Sequence, residues 1–336
     1  MYLPAEWAPQ QAVQLTWPHA GTDFAPHLAA AQKQFLAIAA AIAETTPLIV
    51  VAPEDDDDLE AGLDAAGVPA DRRRLLRLPC NDIWARDHGP ITVIDDGRLI
   101  HRDFRFNGWG GKYPATADDA LTAALHAAGA LPGVVDAVPL VLEGGAIESD
   151  GQGTILTTER CLLDDARNPG ATRADMGAAL RRYLGAERVL WLDPGQLEGD
   201  DTDGHIDTLA RFCDPTTIAY QASEDSGDPQ HAMLQALADE LRALRTAEGA
   251  PYLLIPLPLP APMHDADGRR LPAGYANFLI SNEQVLVPTY DDPADTEALA
   301  RLREAFPAHK VHGVDCRTLV TQNGSLHCAT MQIPVL

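Results

Sequence analysis

Five times along the chain a segment of helical period is followed by a strand-like apolar run, and this recurrence restricts the fold more than any other feature. Phe24 to Thr45 carries apolar residues at Leu28, Phe35, Ile38, Ala39 and Ile42 and leads into Pro47 to Val51. Ala117 to Ala128 leads to Gly133 through Val141, and Thr172 to Leu184 leads to Arg188 through Leu192. Pro229 to Ala247 leads to Tyr252 through Pro256, and Pro293 to Phe306 leads to Lys310 through Val314. Between successive units lie pairs of short apolar runs joined by turn signals, which read as β-hairpins. The turns are Asp95-Asp96-Gly97, Ser149-Asp150-Gly151, Cys213-Asp214-Pro215 and Ser281-Asn282-Glu283. Asp96, Asp150, Asp214 and Asn282 lie 54, 64 and 68 residues apart, the spacing of repeated modules that stack or form a ring.

One module lacks its hairpin. Ala12 to Trp17 is a single strand-like run near the N-terminus, and Ala329 to Val335 is an unmatched one at the C-terminus. If the two pair, the ring closes and no sheet edge of a linear array is left exposed. A doubly wound parallel sheet also alternates helix and strand, but it needs no set of four tight hairpins.

Just before each hairpin, or inside its first strand, sits a polar cluster out of keeping with a buried strand. Asn81 to Pro90 precedes Ile91, Leu142-Glu143-Gly144-Gly145 precedes Ala146, and Gly204-His205-Ile206-Asp207 opens the third hairpin. Tyr275 to Phe278 lies in the fourth, and Asn323 to Cys328 precedes the closing strand. Equivalent positions of like modules point to the axis of a ring, so Asp87, Glu143, His205 with Asp207, Asn277 and Cys328 converge. His205 and Asp207, two apart on a strand, are expected to share a face.

The set is one thiol, one imidazole, three carboxylates and an amide. Cys328 is the candidate nucleophile and His205 the acid that later acts as base, with Glu143 favouring its protonated form. Asp87 and Asp207 accept from a cation with several N–H groups, and a planar guanidinium matches paired carboxylates better than an ammonium does. Like charges disfavour a thiolate, so Cys328 should ionise only when a guanidinium is bound. Trp84 and Trp109 are core residues or the walls of a substrate pocket, and Asn277 bonds backbone or substrate. Taken singly, each has a plainer reading: a structural histidine, an Arg86–Asp87 salt bridge, a turn at Glu143.

Charge and composition narrow the partners. A net charge of -24 excludes nucleic acid and anionic membrane surfaces, and would draw in a small cation. The acidic run Asp55 to Asp58 reads as the opening of a helix. No stretch reaches the apolar length of a membrane helix, and the N-terminus lacks a secretory signal, which places the protein in the cytoplasm. Five scattered cysteines without CxxC spacing read as reduced thiols. Gly110-Gly111-Lys112 is no phosphate loop, and Asp200 to Asp207 fails as a calcium loop, though its acids and His205 leave a metal-dependent hydrolase as an alternative.

In PAEW, LTWPH, NDIWARDHGP, FNGWGGKYP, LEGGAIESDGQGTILTTERCLL, GHIDTLARF, YANFLISN and NGSLHCATMQIP the chain resembles the agmatine deiminase, or Porphyromonas-type peptidylarginine deiminase, family of the pentein superfamily. The resemblance implies a five-bladed α/β propeller of pseudo-fivefold symmetry, in one catalytic domain over residues 1–336. It implies hydrolysis of agmatine to N-carbamoylputrescine and ammonia without metal or organic cofactor. By motif, Cys328 looks like the nucleophile, His205 the acid/base, Asp87 and Asp207 the guanidinium clamps and Glu143 the partner of His205. The loop NGSLHC departs from the glycine-richer GGGNIHC of many relatives, and Cys80 stands where threonine is common. Arginine or peptidylarginine deimination is the alternative on the same fold, and a guanidino-binding protein without turnover is another. A homodimer is left open.

Overall fold

The computed structural model describes residues 1–336 except Asp55 and Asp57, so the expectation for the acidic run falls partly outside the described residues. Asp58 stands at the N-cap position of the short helix Leu59–Ala65 without a side-chain capping bond. Five small sheets are arranged as the blades of a propeller. Each blade begins with an antiparallel pair and returns through a helix to a third strand that runs parallel to the second. The second blade is Ile91–Asp95, Arg98–Arg105 and Val134–Val141, with the helix Leu121–Ala127 in the crossover. The third is Ile147–Ser149, Thr154–Thr158 and Arg188–Leu192, around Arg173–Leu184. The fourth is Ala210–Asp214, Thr217–Gln221 and Leu253–Leu257, around His231–Ala243. The fifth is Leu279–Ser281, Gln284–Thr289 and Lys310–Asp315, around Ala294–Ala305.

The four hairpins expected from turn residues are present. In three of them Asp96, Gly97, Gly151 and Asn282 adopt positive φ, which tight right-twisted turns require and which Gly, Asn and Asp tolerate best, whereas the turn at Pro215 is held by the Asp214 carboxylate, which accepts from the Thr216 N–H. The helix of the third blade starts on a reciprocal cap between Thr172 and Asp175 and stops at left-handed Gly185.

The first blade closes the ring. Gln10–Thr16 pairs antiparallel with the C-terminal strand Thr330–Pro334 and parallel with Leu48–Ala52, which follows the helix Leu28–Ala43. This blade carries a fourth strand, Arg73–Arg77, parallel to Leu48–Ala52 after the helix Leu59–Ala65. That sixth helix–strand unit was not among those expected. Its sequence, Arg-Arg-Leu-Leu-Arg, has too few apolar residues to read as a strand, and as an edge strand it needs few.

Apolar cores lie between each sheet and its outer helix, for example Phe35, Ile38 and Ile42 against Val13, Leu15 and Val50. The axis is different. Glu6, Arg86, Asp87, Glu143, Glu148, His205, Asp207, Arg211, Asn277 and His327 are all buried there. Buried charge on this scale persists only where partners compensate it. No helix among the described residues is long and apolar enough to cross a membrane.

Candidate active site

The five polar clusters occupy equivalent places, each immediately ahead of the strand that opens its blade's sheet. Asp87 ends in the turn Ala85–His88 before Ile91, and Glu143 precedes the turn Gly144–Ala146 before Ile147. Asn277 leads into Leu279–Ser281, and Cys328 leads into Thr330–Pro334. His205 and Asp207 do not lie on a strand, contrary to expectation. The Asp200 carboxylate accepts from the backbone N–H of Thr202 and Gly204, and the Thr202 hydroxyl accepts from the His205 N–H. This winds Ile206–Thr208 into a 3-10 turn and delays the strand to Ala210. The two side chains consequently face different neighbours rather than one common face.

Cys328 is buried, and its sulfur lies 3.2 Å from the donating Nδ2 of Asn277 and 3.5 Å from Oδ2 of Asp207. Asn277 also accepts from the Cys328 backbone N–H at 3.2 Å and donates to the Asp207 carbonyl at 3.3 Å, so it ties the nucleophile loop to the clamp loop. Burial, then the charges of Asp207 and Asp87, push the thiol well above its ordinary range. In the free protein the sulfur therefore rests as a thiol.

Asp87 accepts from the Trp109 indole N–H at 2.9 Å and from the Gly145 N–H at 3.1 Å. Burial and the nearby Asp207 and Glu143 carboxylates nonetheless raise it to about 6, against the opposing pull of His205 and the Trp109 bond. His205 lies with Nδ1 3.5 Å from Asp87 and Nε2 3.7 Å from Glu143. Burial works against the charged ring, but Asp87, Cys161 and Glu143 outweigh it and raise its proton affinity well above the usual value. Gly145 sits where these groups meet. A Cβ there would come within 2.6 Å of His205, 2.8 Å of Asp87 and 3.1 Å of Asp207. Only glycine leaves them room.

A pocket opens onto Cys328 and Asp87, walled by Trp84, Trp109 and Tyr113 and edged by Asp23, Asp82 and Asp201. Both tryptophans are thus buried and at the pocket wall, and Trp109 has the added task of donating to Asp87.

Residues 2–334 match the Porphyromonas-type peptidyl-arginine deiminase family. The chain belongs to this family. A curated agmatine deiminase of Stutzerimonas stutzeri (strain A1501) is 36% identical, over 99% of this chain and 95% of its own. A Porphyromonas gingivalis protein of known structure, provisionally named an arginine deiminase, is 50% identical with a TM-score of 0.92, over 99% and 98% of the two chains. A C. jejuni agmatine deiminase carrying a cysteine-to-serine substitution, solved with substrate bound, is 34% identical with a TM-score of 0.90, over 99% and 95%.

Behind the site of this deiminase-family chain stands a layer of cations, of which only Arg86 was considered from the sequence. Arg167, buried, grips Glu143 with Nε at 2.9 and 3.0 Å from its two oxygens, and its Nη1 reaches Asp164 and Asp203. Arg86 pairs with Glu6 at 3.3 Å rather than with Asp87, which removes the plainer salt-bridge reading of Asp87. Arg211 pairs with Glu6 at 3.0 Å and with Glu148. The acids proposed as metal ligands are otherwise engaged: Asp200 caps its own loop, and Asp201 and Asp203 hold Lys112. Donor atoms of Glu143, Cys161 and His205 do converge within 4.8 Å. A divalent ion among them would face the Arg167 guanidinium, so this trio does not fit a metal.

Proposed function

We propose that the chain hydrolyses agmatine to N-carbamoylputrescine and ammonia through a covalent intermediate on Cys328, with residues 1–336 acting as one catalytic domain. One observation carries the choice of substrate. The described residues lining the pocket over Cys328 include Asp23, Asp82, Asp87 and Asp201 and no Lys or Arg. A dication suits such a wall, whereas the carboxylate of arginine would find no positive partner in that lining, Arg269 and Lys112 being engaged by the lining residues Asn323 and Asp201 from outside it. Burial raises Asp82 to about 7, with Asp118 and Asp23 adding to it, and an alkylammonium beside Asp82 would reverse that.

The guanidinium lies between Asp87 and Asp207, with the alkyl chain against Trp84 and Trp109. Its charge offsets the two carboxylates that keep Cys328 protonated, and the thiol proton has Asp207 Oδ2 as an acceptor 3.5 Å away. Sulfur loses its proton as it bonds to the guanidinium carbon, His205 gives its proton to the departing nitrogen, and ammonia leaves, carrying off the thiol's proton as ammonium. His205, now a base, takes a proton from water; the hydroxyl bonds to carbon, and the C–S bond breaks as the hydroxyl proton returns to sulfur and the ureido product is released. Asn277 steadies the sulfur in both steps. All five cysteines are buried and unpaired, which suits a reducing compartment and supports a cytoplasmic location.

A ureido assay on agmatine, arginine and a blocked peptidyl arginine tests this. Because unmet charge in a pocket costs several kcal/mol, agmatine should lead in kcat/KM by roughly 100-fold or more. Equal or better turnover of arginine would transfer the assignment to arginine, as named for the P. gingivalis relative. Quenching during turnover should leave an adduct on Cys328, and Cys328→Ser should lower kcat by at least about 10^4-fold. An unmodified thiol with bound agmatine would mean binding without catalysis, and activity lost to a chelator and restored by zinc would return the metal hydrolase.

A further inference from the structure

His327 immediately precedes the nucleophile, yet it lies in the axial charge network, 1% exposed. Its Nδ1 is 2.7 Å from Oδ2 of Asp207, and its Nε2 is 2.7 Å from Oε2 of Glu6. An ionised carboxylate only accepts, so with both acids ionised the ring supplies an N–H to each. Both acids are held ionised despite burial: Glu6 well below the carboxylate range by Arg211, His327 and Arg86, and Asp207 lowered by His327, His205 and Arg211.

Glu6 belongs to the N-terminal segment and is itself immobilised. Its Oε1 accepts from the Ile280 N–H at 2.7 Å, and its Oε2 meets Arg211 at 3.0 Å and Arg86 at 3.3 Å. Glu148 faces Arg211 from the third blade. Glu6 lines a pocket that shares no lining residue with the one over Cys328. It therefore acts on the site only through its neighbours. At the other end of the chain of contacts, Oδ2 of Asp207 is occupied by His327 and lies beside the Cys328 sulfur, while Oδ1 is buried with no hydrogen-bond partner among the described residues. A buried acceptor left open in this way is where a guanidinium N–H would go.

We propose that Glu6 and His327 form a positioning pair for Asp207: His327 holds Oδ2 beside Cys328 and so presents Oδ1 to the guanidinium, and Glu6 fixes the ring from behind. This rests on the deiminase reading, and it gives the N-terminal segment a part in substrate binding without contact to substrate.

The test compares His327→Gln, Glu6→Gln and the double variant with wild type, each first shown folded by near-ultraviolet circular dichroism. Loss of a charge-assisted hydrogen bond predicts a fall of roughly 10- to 100-fold in kcat/KM for His327→Gln, mainly through KM. Without its donor, Asp207 takes up a proton more readily. The acid limb of kcat/KM, set near pH 6 by Asp87, should then move upward or steepen from one proton to two. Glu6→Gln should shift the profile the same way by less, and the double variant should lose no more than His327→Gln alone. Melting temperatures that fall while KM and the limb stay fixed would mean a structural role only, and additive losses would break the link between the two residues. Should His327→Gln fail to fold, the KM and limb of Glu6→Gln decide alone. Absence of a Cys328 adduct in wild type would instead overturn the deiminase reading, so the two failures are separable.

Discussion

Two buried histidines, His205 and His327, each lie between two carboxylates, and they are held in opposite ways. Both contacts of His327 are 2.7 Å, whereas those of His205 are 3.5 and 3.7 Å, and among the described residues neither ring nitrogen has a partner at hydrogen-bond geometry. The difference lies in what else the carboxylates bind. Glu143 is drawn off by Arg167, and Asp87 by the N–H groups of Gly145 and Trp109. Those donors leave His205 in the field of two anions without fixing it. A ring so placed keeps its proton at rest and is free to turn it towards substrate or to receive one from water. A ring bonded at both ends, like His327, can only orient its neighbours.

If that contrast is right, His205→Gln is the largest single loss after the nucleophile itself. Removing a general acid–base should lower kcat about 10^2- to 10^4-fold with little change in KM, the reverse of the pattern expected at His327. Steady-state rates at saturating agmatine measure it. A mere tenfold fall would put proton transfer elsewhere and collapse the distinction between the two rings.

Arg167 tests how the slack at His205 is maintained. Arg167→Gln strands the buried Glu143 without its cation, while Asp203 keeps Lys112, and this should cost about 3–5 kcal/mol in urea unfolding, as broken buried ion pairs do. Glu143 is then free to close on His205, and kcat should fall about tenfold even below the unfolding range. Unchanged kcat in a folded variant would show that Arg167 serves stability alone.

The contrast also marks where the sequence was legible. Hairpins could be read because Asp96, Gly97 and Asn282 carry the conformational requirement in their own chemistry. The converging positions could be read because the same place in each module bears a polar residue that a buried strand does not want. Glu6, Arg167 and His327 could not, because a charge reads as surface until its partner is known. The partner of His327 is 321 residues away, and ring closure brings them together. Asn277 was expected mainly to bond backbone; it does so at Asp207, and its amide also reaches the Cys328 sulfur. The strand placement of His205 and Asp207 failed because the Asp200 and Thr202 side chains impose a turn through contacts that periodicity does not register.

The smallest effect sharpens the comparison from the side of Asp87. Wild-type kcat/KM should fall below about pH 6, because Asp87 must be ionised to receive a guanidinium and burial raises it to about 6. The Trp109 N–H bonds the charged carboxylate and so lowers that value. Trp109→Phe keeps the ring in the pocket wall and removes only the donor. The acid limb should therefore move up by about one pH unit, the equivalent of a hydrogen bond of about 1.4 kcal/mol, with the plateau largely retained. A limb that stays near 6 would mean that Gly145 alone holds Asp87. A limb that moves together with a large fall in the plateau would mean that Asp87, once released, closes on His205, and that the slack in that histidine depends on the indole as well as on Arg167.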